Sequence, residues 1–392
     1  MKDFSPSDIR NICLVSHQST GKSTVAEAML FSAGITTRFG RVDDGTTVSD
    51  YRSDEIERKI SISSALMTMD WKKNKINILD LPGRPDFMGE VLCGMRVSDL
   101  AVVLLDAYSG VEVGTETVVE ICDKYKLPRL FFINRIDREH SNFEQTLSQA
   151  QESYGNSVVA AQFPVQEAEG FDSLIDLLSM KKITFLTDQS GKTKVEEIPA
   201  DLLDKAKAMR GALIEKIAES DDAILEKYFE AGELSEEEIN KGLAGGIAAC
   251  KIYPVLCGSA SKNYGIQPLL DFIAGYGPSP ADRGPAVAVD SAHKEVKVEL
   301  SGTQFNAFVF KTLSEMHVGE LSLIRVYSGQ VKSGDEVANT TQGITEKIGQ
   351  IYELTGKNRK EIGMLKAGDI GALVKLKNTH TNDTLADKRS TL

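Results

Sequence analysis

The stretch SHQSTGKST, residues 16–24, places a glycine, a lysine and two hydroxyls side by side. Gly21 lets the backbone curl so that successive amides point inward, Lys22 carries a cation on a long stem, and Ser23 and Thr24 add hydroxyls. That set meets the oxygens of a polyphosphate with dipoles, a cation and a ligand for Mg²⁺. His17, Gln18, Ser19 and Thr20 supply the remainder of the loop. The stretch departs from G-x-x-x-x-G-K-[ST] at its first position, where Ser16 stands for glycine. With ordinary dihedrals the serine is harmless, whereas a positive φ there would cost about 1 kcal/mol or more. Alone, GKST also fits a plain strand-to-helix turn.

Three further motifs decide between these readings. DLPG, residues 80–83, follows the apolar run KINIL, which puts Asp80 where it can hold Mg²⁺ through water and Gly83 where its amide can sense a terminal phosphate. NRID, residues 134–137, follows RLFFI. Asp137 can accept from guanine N1 and the exocyclic amine, Asn134 can brace the loop, and Arg135 can cover the ring with its stem and planar head. Adenine offers the wrong donors, and leaving such a carboxylate unpaired gives rejection factors of about 10⁴ or more. GSASK, residues 258–262, follows IYPVLC and supplies Ser259 and Ala260, whose backbone can read guanine O6. Each motif is weak alone; together, in this order and each after a strand, they specify a guanine nucleotide with Mg²⁺.

These loops need a rigid frame, and the sequence predicts one. NICLV, KINIL, LAVVLL, RLFFI and IYPVLC are continuous apolar runs of strand length, as expected of buried parallel strands, with helical patterns between them. The reading is an α/β sheet with helices on both faces. From about 158 to 253 the alternation breaks into a charged, largely helical stretch with Leu202, Ala206, Met209, Leu213 and Ile217 on one face, read as an insertion. After the Pro/Gly-rich YGPSPADRGP at 276–285, short strand-like segments separated by turn residues predict a small β-barrel. The predicted division is a nucleotide domain over 1–283 and a barrel over 284–392.

Composition narrows the setting. Hydrophobic residues at 41% and charged residues at 26% are those of a soluble globular chain. No apolar run reaches membrane-spanning length, and MKDFSPSDIR lacks a signal-peptide core, so the cytoplasm is the expectation. The five cysteines and five histidines are dispersed, which argues against disulfides and a structural metal. A formal charge of −12 opposes binding to DNA through bulk electrostatics and leaves room for a local RNA contact.

DLPGRPDF, YSGVEVGTETV, KLPRLFFINRIDRE, PVLCGSASKNYGIQPLLD, VGELSLIRVYSGQVKSGDEV and AGDIGALVKLKNTHTNDTL together resemble the translational GTPases, and elongation factor G in particular. The resemblance covers nearly the whole chain, and the insertion favours elongation factor G over the aminoacyl-tRNA-carrying factor. It implies a P-loop GTPase domain with an inserted subdomain, followed by an all-β barrel, in a monomer that acts in translocation as part of a longer protein. Its implied partners are the ribosome, including ribosomal RNA and stalk proteins, with no membrane. Lys22, Gly83 and the residue after Gly83 are implied to be catalytic. That residue is histidine in the family and Arg84 here. The family's first switch carries glycine and threonine where this chain has Lys59 and Ser61; Ser61 keeps a hydroxyl for Mg²⁺ beside Ser23 and Asp80. Ser19 replaces a usual aspartate and Gln18 an apolar residue, so hydrolysis is expected to be slow. Alternative expectations are a ribosome-associated GTP-binding regulatory module with weak hydrolysis, or a GTPase of the release factor 3 or ribosomal-protection type.

Overall fold

The computed structural model describes residues 4–290, 292–315, 319–388 and 390. Its first half is built on five strands, β1 (Ile9–Val15), β2 (Ala65–Trp71), β3 (Asn74–Asp80), β4 (Leu100–Asp106) and β5 (Arg129–Asn134). They run in the order β2-β3-β1-β4-β5, continued by Tyr253–Cys257 and Val158–Ala160. Neighbours from β3 onward are parallel, with Ile12 level with Ile78 on one side and Leu100 on the other. Every residue of β1, β4 and β5 is buried, which is what a strand covered on both faces requires and why these segments read as unbroken apolar runs.

Two features depart from the sequence reading. β2 pairs antiparallel with β3 through a tight turn at Lys72, whose φ is +52°, and ALMTMDW carries no apolar run long enough to announce it. The stretch expected to be largely helical holds a four-stranded antiparallel sheet over residues 162–196 before its helices Leu203–Glu219, Asp222–Ala231 and Glu236–Ala248. Its short strands are interleaved with lysines and threonines, which hides their period. Its first segment, Val158–Ala160, lies on the main sheet beside Tyr253–Val255. The helices begin where side chains satisfy their free amides: Asp221 accepts from Ala223 N at 2.9 Å, and Ser235 and Glu238 form a capping box.

The second half is antiparallel β structure around its own apolar core, which includes Phe305, Val309, Ile324, Val326, Ile351 and Leu373. Its ladder passes through Asn306–Glu315, Gly319–Ser328, Ile370–Val374 and Ile351–Thr355, and then meets β2 where Thr355 faces Met67. Ion pairs made by buried cations join the halves: Lys75 with Glu353 and Asp369 at 2.7 Å each, Arg325 with Asp99 at 2.7 Å, and Lys311 with Glu90 at 2.6 Å. Among the described residues no helix is long and apolar enough to cross a membrane.

Candidate nucleotide site

β1 delivers the chain into the loop 16–21, and helix α1 (Lys22–Ser32) leaves it. Gly21 sits at φ +96°, and a Cβ there would lie 2.6 Å from Asn134 Nδ2, so both its conformation and its neighbour demand glycine. Ser16 is buried and is not among the residues with positive φ, so serine in the leading position carries no backbone strain. Its hydroxyl meets that of Thr20 and donates to His17 O at 2.9 Å. The left-handed residue of the loop is instead Ser19, at φ +63°.

Lys22 Nζ donates to His17 O at 3.0 Å and to Ser16 Oγ at 3.3 Å. Burial lowers its pKa to about 8, against the pull of Asp80 and Asp50. The His17 ring is committed elsewhere, accepting from Gly114 N at 3.2 Å with its other nitrogen 3.6 Å from Glu112. His17 and Thr20 therefore shape the loop, whereas Gln18, Ser19, Gly21, Lys22, Ser23 and Thr24 line a cavity of about 580 Å³ above it.

At one wall of that cavity Ser23 Oγ and Ser61 Oγ lie 3.1 Å apart. Asp80, at the end of β3, is fully buried and has no hydrogen-bonded partner on either carboxylate oxygen; Asp50 Oδ2 is also unpartnered. Burial raises both carboxyl pKa values, and at Asp50 the charge of Asp80 raises it further. Two hydroxyls beside two carboxylates, three of whose oxygens lack a close partner, fit Mg²⁺, which takes few protein ligands and completes its shell with phosphate and water. No cluster of three His, Cys, Asp or Glu exists among the described residues, as that mode of binding requires none.

Asp50 was not anticipated from sequence. It lies in the polar, aperiodic stretch VDDGTTVSD, and its place depends on Glu27 of α1, which is buried and accepts from Val48 N. Helix Ser53–Arg58 then ends on Lys59 at φ +55°, ψ +40°, the conformation for which glycine is the ordinary choice. Gly83 presses on the phosphate loop: a Cβ would lie 2.9 Å from Gln18 N and also strike Lys22 Nζ. Arg84 is exposed and lines the cavity mouth.

Asn134 ties the base-side loops together, donating to Thr20 O at 2.9 Å and accepting from Ala260 N at 3.0 Å. Arg135, at φ +67°, holds Asp106 at 2.6 Å and lines the cavity. Asp137 Oδ1 is buried without a partner. The amides of Ser259 and Ala260 are engaged by Tyr264 O and Asn134 Oδ1; Ser261 and Arg138 line the cavity, whereas Ser259, Ala260 and Asp137 lie behind its lining.

A parallel sheet with a glycine-bent, lysine-bearing loop between its first strand and helix, an aspartate closing β3 and an asparagine–aspartate loop after β5, is the architecture of a P-loop GTPase domain. Residues 7–279 match the Elongation factor Tu GTP binding domain, and residues 304–388 match Elongation factor G domain 2. The chain belongs to that family, as a translational GTPase of the elongation factor G type. A crystal structure of ttk003000868 from Thermus thermophilus is similar to it, with a TM-score of 0.88 and 26% identity over 98% of this chain. The match covers 55% of that chain, so this one spans little more than half its neighbour's length.

Proposed function

We propose that the chain binds GTP and GDP with Mg²⁺, hydrolyses GTP, and serves in the elongation step on the ribosome, in the cytoplasm, as part of a longer factor. The observation that carries the nucleotide assignment is Asp137, whose buried oxygen lacks a partner on the loop that Asn134 fastens to the phosphate loop. A guanine base supplies the missing donors. Lys22 offsets phosphate charge, the loop amides after Ser16 cradle the oxygens, and Ser23, Ser61, Asp80 and Asp50 hold the metal side. Mg²⁺, when bound, neutralises charge on the terminal phosphates. Gly83 is placed to sense the terminal phosphate, since a residue with a Cβ would collide with Gln18 and Lys22 of the phosphate loop.

The family supports a ribosomal partner, with ribosomal RNA and stalk proteins as the contacts and a monomer as the acting species. A second reading, a GTP-binding regulatory module with weak hydrolysis, is favoured by Arg84 at the cavity mouth. Arginine stays protonated and cannot take a proton from water. Titration with fluorescent GDP, competed by GTP and by ATP with and without Mg²⁺, tests the nucleotide assignment, and equal competition by ATP overturns it. Hydrolysis measured with and without ribosomes separates the two readings.

A further inference from the structure

Ser98 and Asp99 precede β4, whereas the nucleotide loops follow the strand ends, so Asp99 marks the opposite edge of the parallel sheet. There a cleft of about 850 Å³ opens between the two halves, roofed by the hairpin of Ala286–Val289 and Glu295–Val298. The volume is that of a small-molecule site. Its lining holds three arginines, Arg96, Arg283 and Arg325, against two aspartates, Asp99 and Asp290, in a chain whose formal charge is −12. Arg96 is already spread over the Phe308 ring at 4.4 Å, and Arg325 spends two nitrogens on Asp99 and on Val97 O. Arg325 Nε remains buried without an acceptor, and Asn306 Oδ1 is buried without a donor; both residues line the cleft and are more than nine-tenths buried. Such orphaned groups are costly unless something fills them. Burial lowers the Arg283 pKa against the pull of Asp99, and one of its nitrogens donates to Lys126 O at 2.8 Å. The hairpin also carries Val287 and Val289, 63% and 54% exposed.

We propose that this cleft binds a small organic anion. Its acidic group sits against Arg283 and Arg325 Nε, a hydrogen-bond donor satisfies Asn306 Oδ1, and a flat apolar body lies along Phe308 and the hairpin valines. Because the lining comes from both halves and the hairpin between them, a bound anion fixes their relative placement from the edge remote from the nucleotide.

The test uses 8-anilinonaphthalene-1-sulfonate, which has an acidic group, an N–H donor and a flat body, and its uncharged parent N-phenyl-1-naphthylamine. Fluorescence titration of the whole chain, with and without GDP, is expected to show one saturable site unaffected by GDP. The sulfonate should bind about tenfold or more tightly than the parent, the scale of a charge-assisted hydrogen bond. Arg283→Ala erases that preference, Val287→Asp weakens both probes, and Phe229→Ser, at a remote residue 78% exposed, changes neither. Circular dichroism melting identifies any variant that fails to fold, and Val287→Asp, at an exposed position, keeps the test open if Arg283→Ala does. Equal affinity for the two probes, or an anion preference that survives Arg283→Ala with binding unmoved by Val287→Asp, overturns the proposal.

Discussion

Lys75 Nζ, on β3 of the nucleotide half, lies 2.7 Å from a carboxylate oxygen of Asp369 in the second half, and the lysine is 3% exposed. Glu353 completes the triad at 2.7 Å, and Asn77 donates to Asp369 at 3.0 Å. Removing the cation alone leaves two carboxylates facing each other in a poorly solvated seam. Lys75→Met is expected to cost about 3–5 kcal/mol, measured by urea unfolding, the scale of a broken buried pair.

The same seam sets a pH window. Burial raises Glu353, but the charge and hydrogen bond of Lys75 outweigh it and hold the carboxyl below its ordinary 4.5. Burial lowers Lys75, yet Asp369 and Glu353 carry it above its ordinary 10.5. A depressed carboxyl contributes stability that is present above pH 4.5 and lost as pH falls through the folded value. A raised lysine contributes stability that is present below pH 10.5 and lost as pH rises through its folded value. Urea midpoints should therefore form a plateau between these limits, and Glu353→Gln should flatten its acid edge. An unchanged acid edge in that variant refutes the assignment.

At the base loop, Asp137→Ala should lower GDP affinity by about 10² or more, since it removes the acceptor that guanine's donors require. Melting temperature without nucleotide should hardly move, because Asp137 Oδ1 has no partner to lose. Calorimetric titration beside a thermal melt distinguishes a lost ligand contact from a damaged fold.

Lys59 stands at φ +55° where glycine is unstrained. Lys59→Gly is expected to stabilise the chain by about 1 kcal/mol, and Lys59→Ala to give no such gain. Thermal melts of the three proteins check this ranking.

Arg84, at the cavity, is proposed to limit the rate of hydrolysis. With ribosomes, Arg84→His is expected to raise single-turnover hydrolysis by about 10² or more, as a proton-accepting side chain replaces one that cannot accept. If histidine lowers the rate and alanine abolishes it, arginine itself stabilises phosphate charge and the slow-hydrolysis reading fails.

Much of this was legible in the chain because buried parallel strands and phosphate loops impose narrow chemistry. β1, β4 and β5 must be apolar on both faces, and Gly21 must be glycine twice over. Asp50 was hidden because nothing local fixes it: a carboxylate in an irregular loop acquires its meaning from Glu27 and Asp80, distant in sequence. That Ser261 lines the cavity could not be read locally, since only the fold shows that Asn134 and Tyr264 take the two preceding amides. The arginine-rich cleft was invisible for the same reason, its lining being gathered from both halves and the hairpin between them.

The ladder that crosses from Thr355 to Met67 has a mechanical meaning. β2 begins directly after Ser61–Ser64, and Gly356 N donates to Leu66 O at 3.0 Å beside that crossing. Lys311 grips the same stretch, donating to Ser64 O at 2.8 Å while it holds Glu90 of the helix after Gly83. The end of the Ser61 loop is thus anchored at the second half by a strand and a cation. The segment that carries Ser61 and the second half share a strand pairing and a cation, so a displacement of either is expected to be felt by the other.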